Sequence, residues 1–184
     1  MLKRNTNPPS LPMTTPALPS PYHLLPHAPN IPAYLSLRQQ TGLTPCTPEQ
    51  AAAALPGSWY ACHIVHTTAA PDHGGGNGAR ADGVAVSNED DVAATAAPEV
   101  VAMGRIVGDG GWYFVLADIA VLPAHQRKGL GDAVVRHLME RVRSHAPKGA
   151  FVNLLADAPG RRLYERHGFV ETAPRSVGMG VWME

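Results

Sequence analysis

The residues best placed to do chemistry in this chain are Gln126-Arg127-Lys128-Gly129-Leu130-Gly131, six consecutive positions that fall between the end of an apolar run and the start of a helical pattern. Backbone N–H groups at a helix N-terminus have no intrahelical partner and carry partial positive charge. Glycines there let an anion approach the main chain closely. Arg127 and Lys128 add charge at the same mouth. The chemistry that fits is binding of a pyrophosphate. The spacing lacks the Lys-Ser/Thr pair that follows the second glycine of a nucleotide P-loop, and it is not Gly-x-Gly-x-x-Gly, so ATP and NAD rank low as ligands. The same glycines also fit a plain loop-to-helix turn.

Such a loop needs a strand before it and a helix after it. Trp112 to Val121 is rich in aromatic and β-branched residues and is closed by Pro123, as expected of a strand. From Gly131 onward, Val134, Val135, Leu138, Met139 and Val142 recur at the spacing of one helix face. Asp132 stands in the first turn, and Arg141, Arg143 and His145 stand in the last. Ala150 to Leu155 reads as a buried strand, so strand, helix and strand make a right-handed crossover with the two strands parallel. Upstream, Trp59 to Thr68 and Val100 to Val107 read as strands, with Gly108-Asp109-Gly110-Gly111 turning the second into a hairpin. Downstream, Asp157 is placed to cap a helix over Ala158 to His167 that Gly168 ends, and Phe169 to Thr172 and Gly178 to Trp182 are expected to complete the sheet. Ala33 to Gln40 and the segment opened by Thr47-Pro48-Glu49-Gln50-Ala51 read as two short helices ahead of the sheet. The fold class is α/β, a mixed sheet with helices on its faces.

Two segments fall outside this pattern. Residues 1–32 hold nine prolines and few large apolar side chains, and are expected to form a disordered tail ahead of one domain over 33–184. Residues 69–98, Gly- and Ala-rich with little periodicity, read as a loop insertion. With 15 basic and 15 acidic residues, the balance of charge points to neither nucleic acid nor an anionic membrane as a partner. No apolar run approaches the roughly 20 residues that cross a bilayer. Cys46 and Cys62 suit a reducing compartment, so a cytoplasmic location is expected. Mitochondrial import is the lesser alternative, since no acidic residue precedes Glu49 yet the prolines forbid an amphipathic presequence helix. The nine histidines are scattered, and His63 and His66 fall on opposite faces of their strand, so no metal site is expected.

With Ile119-Ala120-Val121 closing the strand five positions before Gln126, the segment resembles motif A of the GNAT superfamily of N-acetyltransferases, Gln/Arg-x-x-Gly-x-Gly/Ala. Leu163-Tyr164-Glu165-Arg166-His167-Gly168-Phe169 resembles the same family's downstream motif B. The resemblance covers about Trp59 to Glu184. It implies a GNAT fold, a mostly antiparallel sheet of six to seven strands with a splayed parallel central pair and about four helices, and acetyl-CoA as co-substrate without a metal. It also implies that the backbone of Ile119, Ala120 and Val121 pairs with the pantetheine arm like an added strand, and that Gln126, Arg127, Lys128, Gly129, Leu130 and Gly131 wrap the pyrophosphate. Arg162 is a further candidate for the phosphates. Family enzymes often dimerise, and a homodimer is open here because nothing in the sequence fixes an interface.

Acetyl transfer to an amine needs a neutral amine, a polarised thioester carbonyl and a proton for the departing thiolate. A lysine-like amine, with a reference pKa of about 10.4, loses its proton at pH 7 at a cost of about 4.6 kcal/mol. Asp118, beside the cofactor strand, is the candidate base that the resemblance suggests, and a structural hydrogen-bonding role fits it equally. Tyr164 resembles the family tyrosine that gives a proton to the leaving sulfur, although a tyrosine packed for bulk would look the same in sequence. The oxyanion contact is expected from backbone N–H near Val121. Histone-type members carry a catalytic Glu six residues before the position of Val121, and this chain has Val115 there. The expectation is therefore a small-molecule amine acceptor, walled by aromatic residues such as Trp59, Tyr60, Trp112 or Tyr113. A protein lysine or N-terminal acetyltransferase and a catalytically silent acyl-CoA-binding module stand as alternatives.

Overall fold

The computed structural model describes residues 18–67 and 97–183. The chain runs β1 (Tyr22–Leu25), α1 (Ile31–Thr41), α2 (Pro48–Ala54), β2 (Tyr60–His66), β3 (Glu99–Gly108), β4 (Tyr113–Val121), α3 (Leu130–His145), β5 (Phe151–Asn153) and α4 (Arg161–Arg166), with short 3-10 turns at Pro123–His125 and Ala158–Gly160. The five strands form one sheet in chain order, antiparallel from β1 to β4 and parallel between β4 and β5.

Local chemistry accounts for most of these elements. Asn30 caps α1 by accepting from the Ala33 N–H at 2.9 Å, and Thr47 with Gln50 closes a reciprocal capping box at the start of α2. Asp109 Oδ1 accepts from the N–H groups of Gly111, Trp112 and Tyr113, which tightens the turn between β3 and β4 and holds the Asp109 carboxyl below its ordinary pKa. The apolar stripe of α3 buries Leu130, Val134, Val135, Leu138 and Val142. It lies on the face of the sheet that Gly104 presents, while α1 packs on β3 and β4 from the other face. Phe114, Ile64, Ile106, Met103 and Leu37 are fully buried between these layers, each contributing about 1.5–3 kcal/mol by leaving water.

Three expectations need correction. The tail read as disordered through residue 32 contains β1, whose Tyr22 is buried and pairs with His66 on β2. Proline density hid this, because a four-residue edge strand tolerates prolines on both sides. The helix expected over 158–167 is a 3-10 turn followed by α4, without a side-chain cap from Asp157. Residues 169–172 and 178–182 form no strand, and the sheet has five strands among the described residues rather than six or seven. Val177, Met179, Val181 and Met183 alternate as a strand does, but β5 offers only three residues as a template. The segment passes Leu155 at Gly178 without forming a ladder. The prolines before residue 18 and most of the 69–98 insertion lie outside the described residues.

Gly104 is where α3 comes closest to the sheet. A Cβ there would lie 2.6 Å from Val134 Cγ1, 2.7 Å from Ile119 Cδ1 and 3.0 Å from Leu138 Cδ1. Gly104→Ala is expected to destabilise the fold by about 1–3 kcal/mol, read as a lowered urea midpoint with an unchanged slope.

Candidate active site

β4 and β5 pair only from Tyr113 with Phe151 to Val115 with Asn153. Beyond that point they part, so Leu116 to Val121 run on without a ladder on the β5 side. A bulge reinforces the parting. Met103 pairs with Ala120 and Arg105 with Ala117, which sets Gly104 alone opposite Asp118 and Ile119. Asp118 takes φ +55, a left-handed conformation that aspartate tolerates better than most residues. The result is an unpaired strand edge that forms a wall containing Ile119, Ala120 and Val121. Ala120 is buried, and Ile119 and Val121 pack against the core, so any ligand along this wall meets backbone.

The wall leads into the loop. Gln126 Nε2 donates to the Val121 carbonyl at 3.2 Å, folding the loop back on the strand it follows. Arg127 at φ +61 and Gly129 at φ +82 are both left-handed, and Gly129 stands as the residue before α3. Gln126, Arg127, Lys128 and Gly129 are exposed, whereas the Leu130 side chain is buried in the core and anchors the first turn of α3. Lys128 does not extend outward, because its Nζ donates to the Tyr22 hydroxyl at 3.2 Å.

α4 is fastened to the first turn of α3. Asp132 accepts from His167 Nε2 at 2.9 Å and from Arg136, with Arg166 3.9 Å away, and Leu163 packs where a Cβ on Gly131 would meet it at 3.4 Å. Tyr164 lies half-buried on this helix, edge-on to Phe169 at 6.1 Å between ring centroids. Burial and then the Asp157 charge push its phenol above the ordinary tyrosine pKa, so it stays protonated. Arg162 is exposed on the same helix. The motif A and motif B residues are thus carried on elements joined by Asp132 and Leu163.

Asp118 is built differently from a free base. Its Oδ2 accepts from the Tyr34 hydroxyl at 2.6 Å and from Arg105 Nε, and its Oδ1 accepts from Arg38 Nη1 at 2.6 Å. Burial alone would raise its pKa, but the Tyr34 hydrogen bond and the two guanidinium groups outweigh that and hold the carboxyl below its ordinary value. A carboxylate so bound is a poor acceptor for an ammonium proton, and the base assignment gives way to that of a charge centre. Arg38 and Arg105 reach it from α1 and β3, and Tyr34 is nearly fully buried. None of the three stood out in sequence: Tyr34 and Arg38 lie 84 and 80 residues from Asp118, and Arg105, 13 residues away, meets it only through the pairing of β3 with β4. A small recess adjoins the cluster, bounded by Pro29, Tyr34, Leu55 and Met103. Of the expected aromatic walls, Trp59 and Tyr60 pack against the core and carry the Arg141 guanidinium over their rings at 5.9 and 4.9 Å, whereas Trp112 and Tyr113 are exposed. Among the described residues, no three His, Cys, Asp or Glu side chains gather as a metal site would require, and no helix is long and apolar enough to cross a membrane.

The family model of the acetyltransferase (GNAT) domain matches residues 84–171. Among solved structures, a Staphylococcus aureus protein of unknown function is similar over 88% of this chain and 99% of its own, at 26% identity and a TM-score of 0.67. The glucosamine-6-phosphate N-acetyltransferase of Arabidopsis thaliana is similar over 89% of this chain and 99% of its own, at 15% identity and a TM-score of 0.53. The ribosomal-protein-S18-alanine N-acetyltransferase of Escherichia coli is similar over 83% of this chain and 79% of its own, at 19% identity and a TM-score of 0.55. The last two likenesses concern the fold alone. No curated protein matches the chain by sequence.

The Asp118 centre carries a pH signature. Its folded pKa is depressed, so its stabilisation is complete above the unfolded carboxylate value of about 3.9 and is lost as pH falls through the folded value. Asp118→Asn leaves two guanidinium groups facing a neutral amide and is expected to cost about 3 kcal/mol at pH 7. Urea titrations at pH 7 and pH 3 should show the gap between wild type and variant closing on acidification.

Proposed function

We propose that the chain is an acetyltransferase of the GNAT family, as the domain model matching residues 84–171 supports, and that it moves an acetyl group from acetyl-CoA to a primary amine of a small molecule, by direct attack in a ternary complex. The observation that carries this reading is the parting of β4 from β5 at Val115 and Asn153, which opens onto a loop with left-handed Arg127 and Gly129 at the N-terminus of α3. The open strand edge and exposed loop fit an extended pantetheine arm ending in a pyrophosphate. Bound there, acetyl-CoA supplies an acetyl group activated as a thioester.

The chain's own residues do the rest. The backbone of Ile119, Ala120 and Val121 binds the arm by strand addition, and the N–H groups of Gln126 to Gly131 bind the pyrophosphate, with Arg127 and Arg162 adding positive charge at its rim. Backbone N–H near Val121 donates to the thioester carbonyl oxygen as charge builds on it. The Tyr164 hydroxyl holds the proton that the departing sulfur takes. Asp118 shapes the backbone at the start of the wall and balances Arg38 and Arg105. With that carboxylate committed, no side chain is assigned as base for the amine. The absence of a Glu at position 115 supports a small acceptor over a histone-type lysine.

The test is release of CoA thiol from acetyl-CoA across arylalkylamines, polyamines, amino sugars, amino acids, lysine peptides and peptides with a free N-terminal alanine. Sustained release with one small-amine class is expected, with kcat about 10²-fold lower in Tyr164→Phe. Turnover with peptides alone would move the reading to a protein acetyltransferase, and CoA binding without any turnover would move it to a silent binding module. The pH dependence is also fixed in direction. kcat/KM should climb with the neutral fraction of the acceptor amine, and the phenol-dependent step should persist to above pH 10, since the Tyr164 pKa lies above its ordinary value. A profile falling between pH 8 and 9 would remove Tyr164 from the proton-donor role.

A further inference from the structure

We propose that Tyr22, on the short strand β1, is a positioning residue for the cofactor loop, holding Lys128 and His125 so that the intervening backbone keeps its anion-binding form. This rests on the acetyl-CoA reading given above.

Tyr22 lies far from the loop in sequence and against it in space. Its hydroxyl accepts from Lys128 Nζ at 3.2 Å, which leaves its own proton to donate to His125 Nδ1 at 2.9 Å. Lys128 Nζ also stands 5.9 Å from the centre of the Tyr22 ring. One phenol therefore grips the chain at two points that bracket Gln126 and Arg127. His125 suits the role of acceptor. Burial first, then the Lys128 and His66 charges, outweigh the pull of Glu99 and lower its pKa, so the ring is neutral near pH 7. Its other nitrogen, Nε2, is directed at Glu99 Oε2 at 3.7 Å.

The grip is itself held rigidly. Tyr22 is only 7% exposed, packed on His66 at 5.0 Å and edge-on to His125 at 5.7 Å between ring centroids. Immediately before it, the Pro21 carbonyl accepts from both the N–H and the hydroxyl of Thr67 at 3.1 and 3.2 Å, fixing β1 to the end of β2. The loop, in contrast, has little support of its own. Among the described residues, Gln126 to Gly129 is held by Gln126 bonding to Val121 and Pro123, by the Gly129 carbonyl within α3, and by Lys128 on Tyr22. Arg127 and Gly129, the two left-handed residues, lie on either side of Lys128. A backbone in that conformation relaxes readily when untethered, and its N–H groups then no longer converge on an anion.

The tether implies that a lysine of the loop serves the cofactor indirectly. Its charge is spent on holding shape, and the phosphate-facing work falls to backbone N–H groups.

The experiment is calorimetric titration of the full chain with CoA, in wild type, Tyr22→Phe, Lys128→Met and the double variant, with acetyl-CoA kinetics alongside. Tyr22→Phe keeps the ring and its packing on His66 and removes only the hydroxyl. It is expected to weaken CoA about tenfold, to raise KM for acetyl-CoA by a similar factor, and to leave kcat at saturating acetyl-CoA within about twofold. The double variant is expected to lose no more than the worse single one, because both remove the same tether. Additive losses would assign Lys128 to direct phosphate contact and overturn the proposal, as would an unchanged CoA affinity in Tyr22→Phe. If Tyr22→Phe proves poorly folded by circular dichroism, the salt dependence of CoA affinity in Lys128→Met carries the test: a slope equal to wild type is expected of a tether, and a shallower slope, the mark of a lost phosphate contact, overturns the proposal. A loss confined to variants 22 and 128 leaves the acetyl-CoA reading intact, whereas wild type that binds no CoA sinks that reading and this inference together.

Discussion

Backbone N–H and C=O groups must find partners, and in a sheet the neighbouring strand supplies them. β4 meets this requirement on its β3 side on either side of the bulge at Asp118 and Ile119, but on its β5 side only as far as Val115. The six residues that follow keep an open edge, and the rest of the molecule is arranged around that edge. α3 covers one face of the sheet beneath it, so closely that position 104 admits no side chain. A bulge at Asp118 lies within this edge, and the loop after Val121 folds back on the strand through Gln126. An open edge inside a fold is a liability unless something occupies it, and the proposed function gives this edge the pantetheine arm as its partner.

The energetic anchor of the arrangement is ionic. A left-handed aspartate in the middle of a strand is an unfavourable local choice, and it persists because two arginines and a tyrosine from α1 and β3 converge on its carboxylate. Desolvation works against the cluster, and complete hydrogen bonding of both oxygens offsets it. Two elements that read in sequence as unremarkable are thereby coupled to this wall. α1 is joined to β4 across the sheet, although nothing in its own pattern identifies a partner.

What could be read from the sequence was what repeats or what is local. The stripe on α3, the cap of α2 and the β3–β4 turn all follow from residues within a few positions of each other. The loop at Gln126 to Gly131 and the helix bearing Tyr164 were legible by resemblance, and the fold sets them on neighbouring elements. β1 was not legible, because its four residues lie among prolines and owe their strand form to pairing with β2. Nor was the true situation of Asp118, whose neighbours in sequence give no hint of Arg38 or Arg105. The strand expected over Gly178 to Trp182 is not formed, since the alternation of Val177, Met179 and Val181 describes what a strand could bury and not whether an edge is available to bury it.

Position 118 answers to two demands that draw on different properties of one side chain. The backbone demands a residue that accepts φ +55, which favours glycine, asparagine or aspartate. The arginine pair demands a full negative charge, which asparagine and glycine lack. Glutamate has the charge without the backbone tolerance. Aspartate therefore has no conservative neighbour at this site. A lineage of such chains could change it only by reworking Arg38, Arg105 and the bulge together, so drift should pass this corner of the fold by.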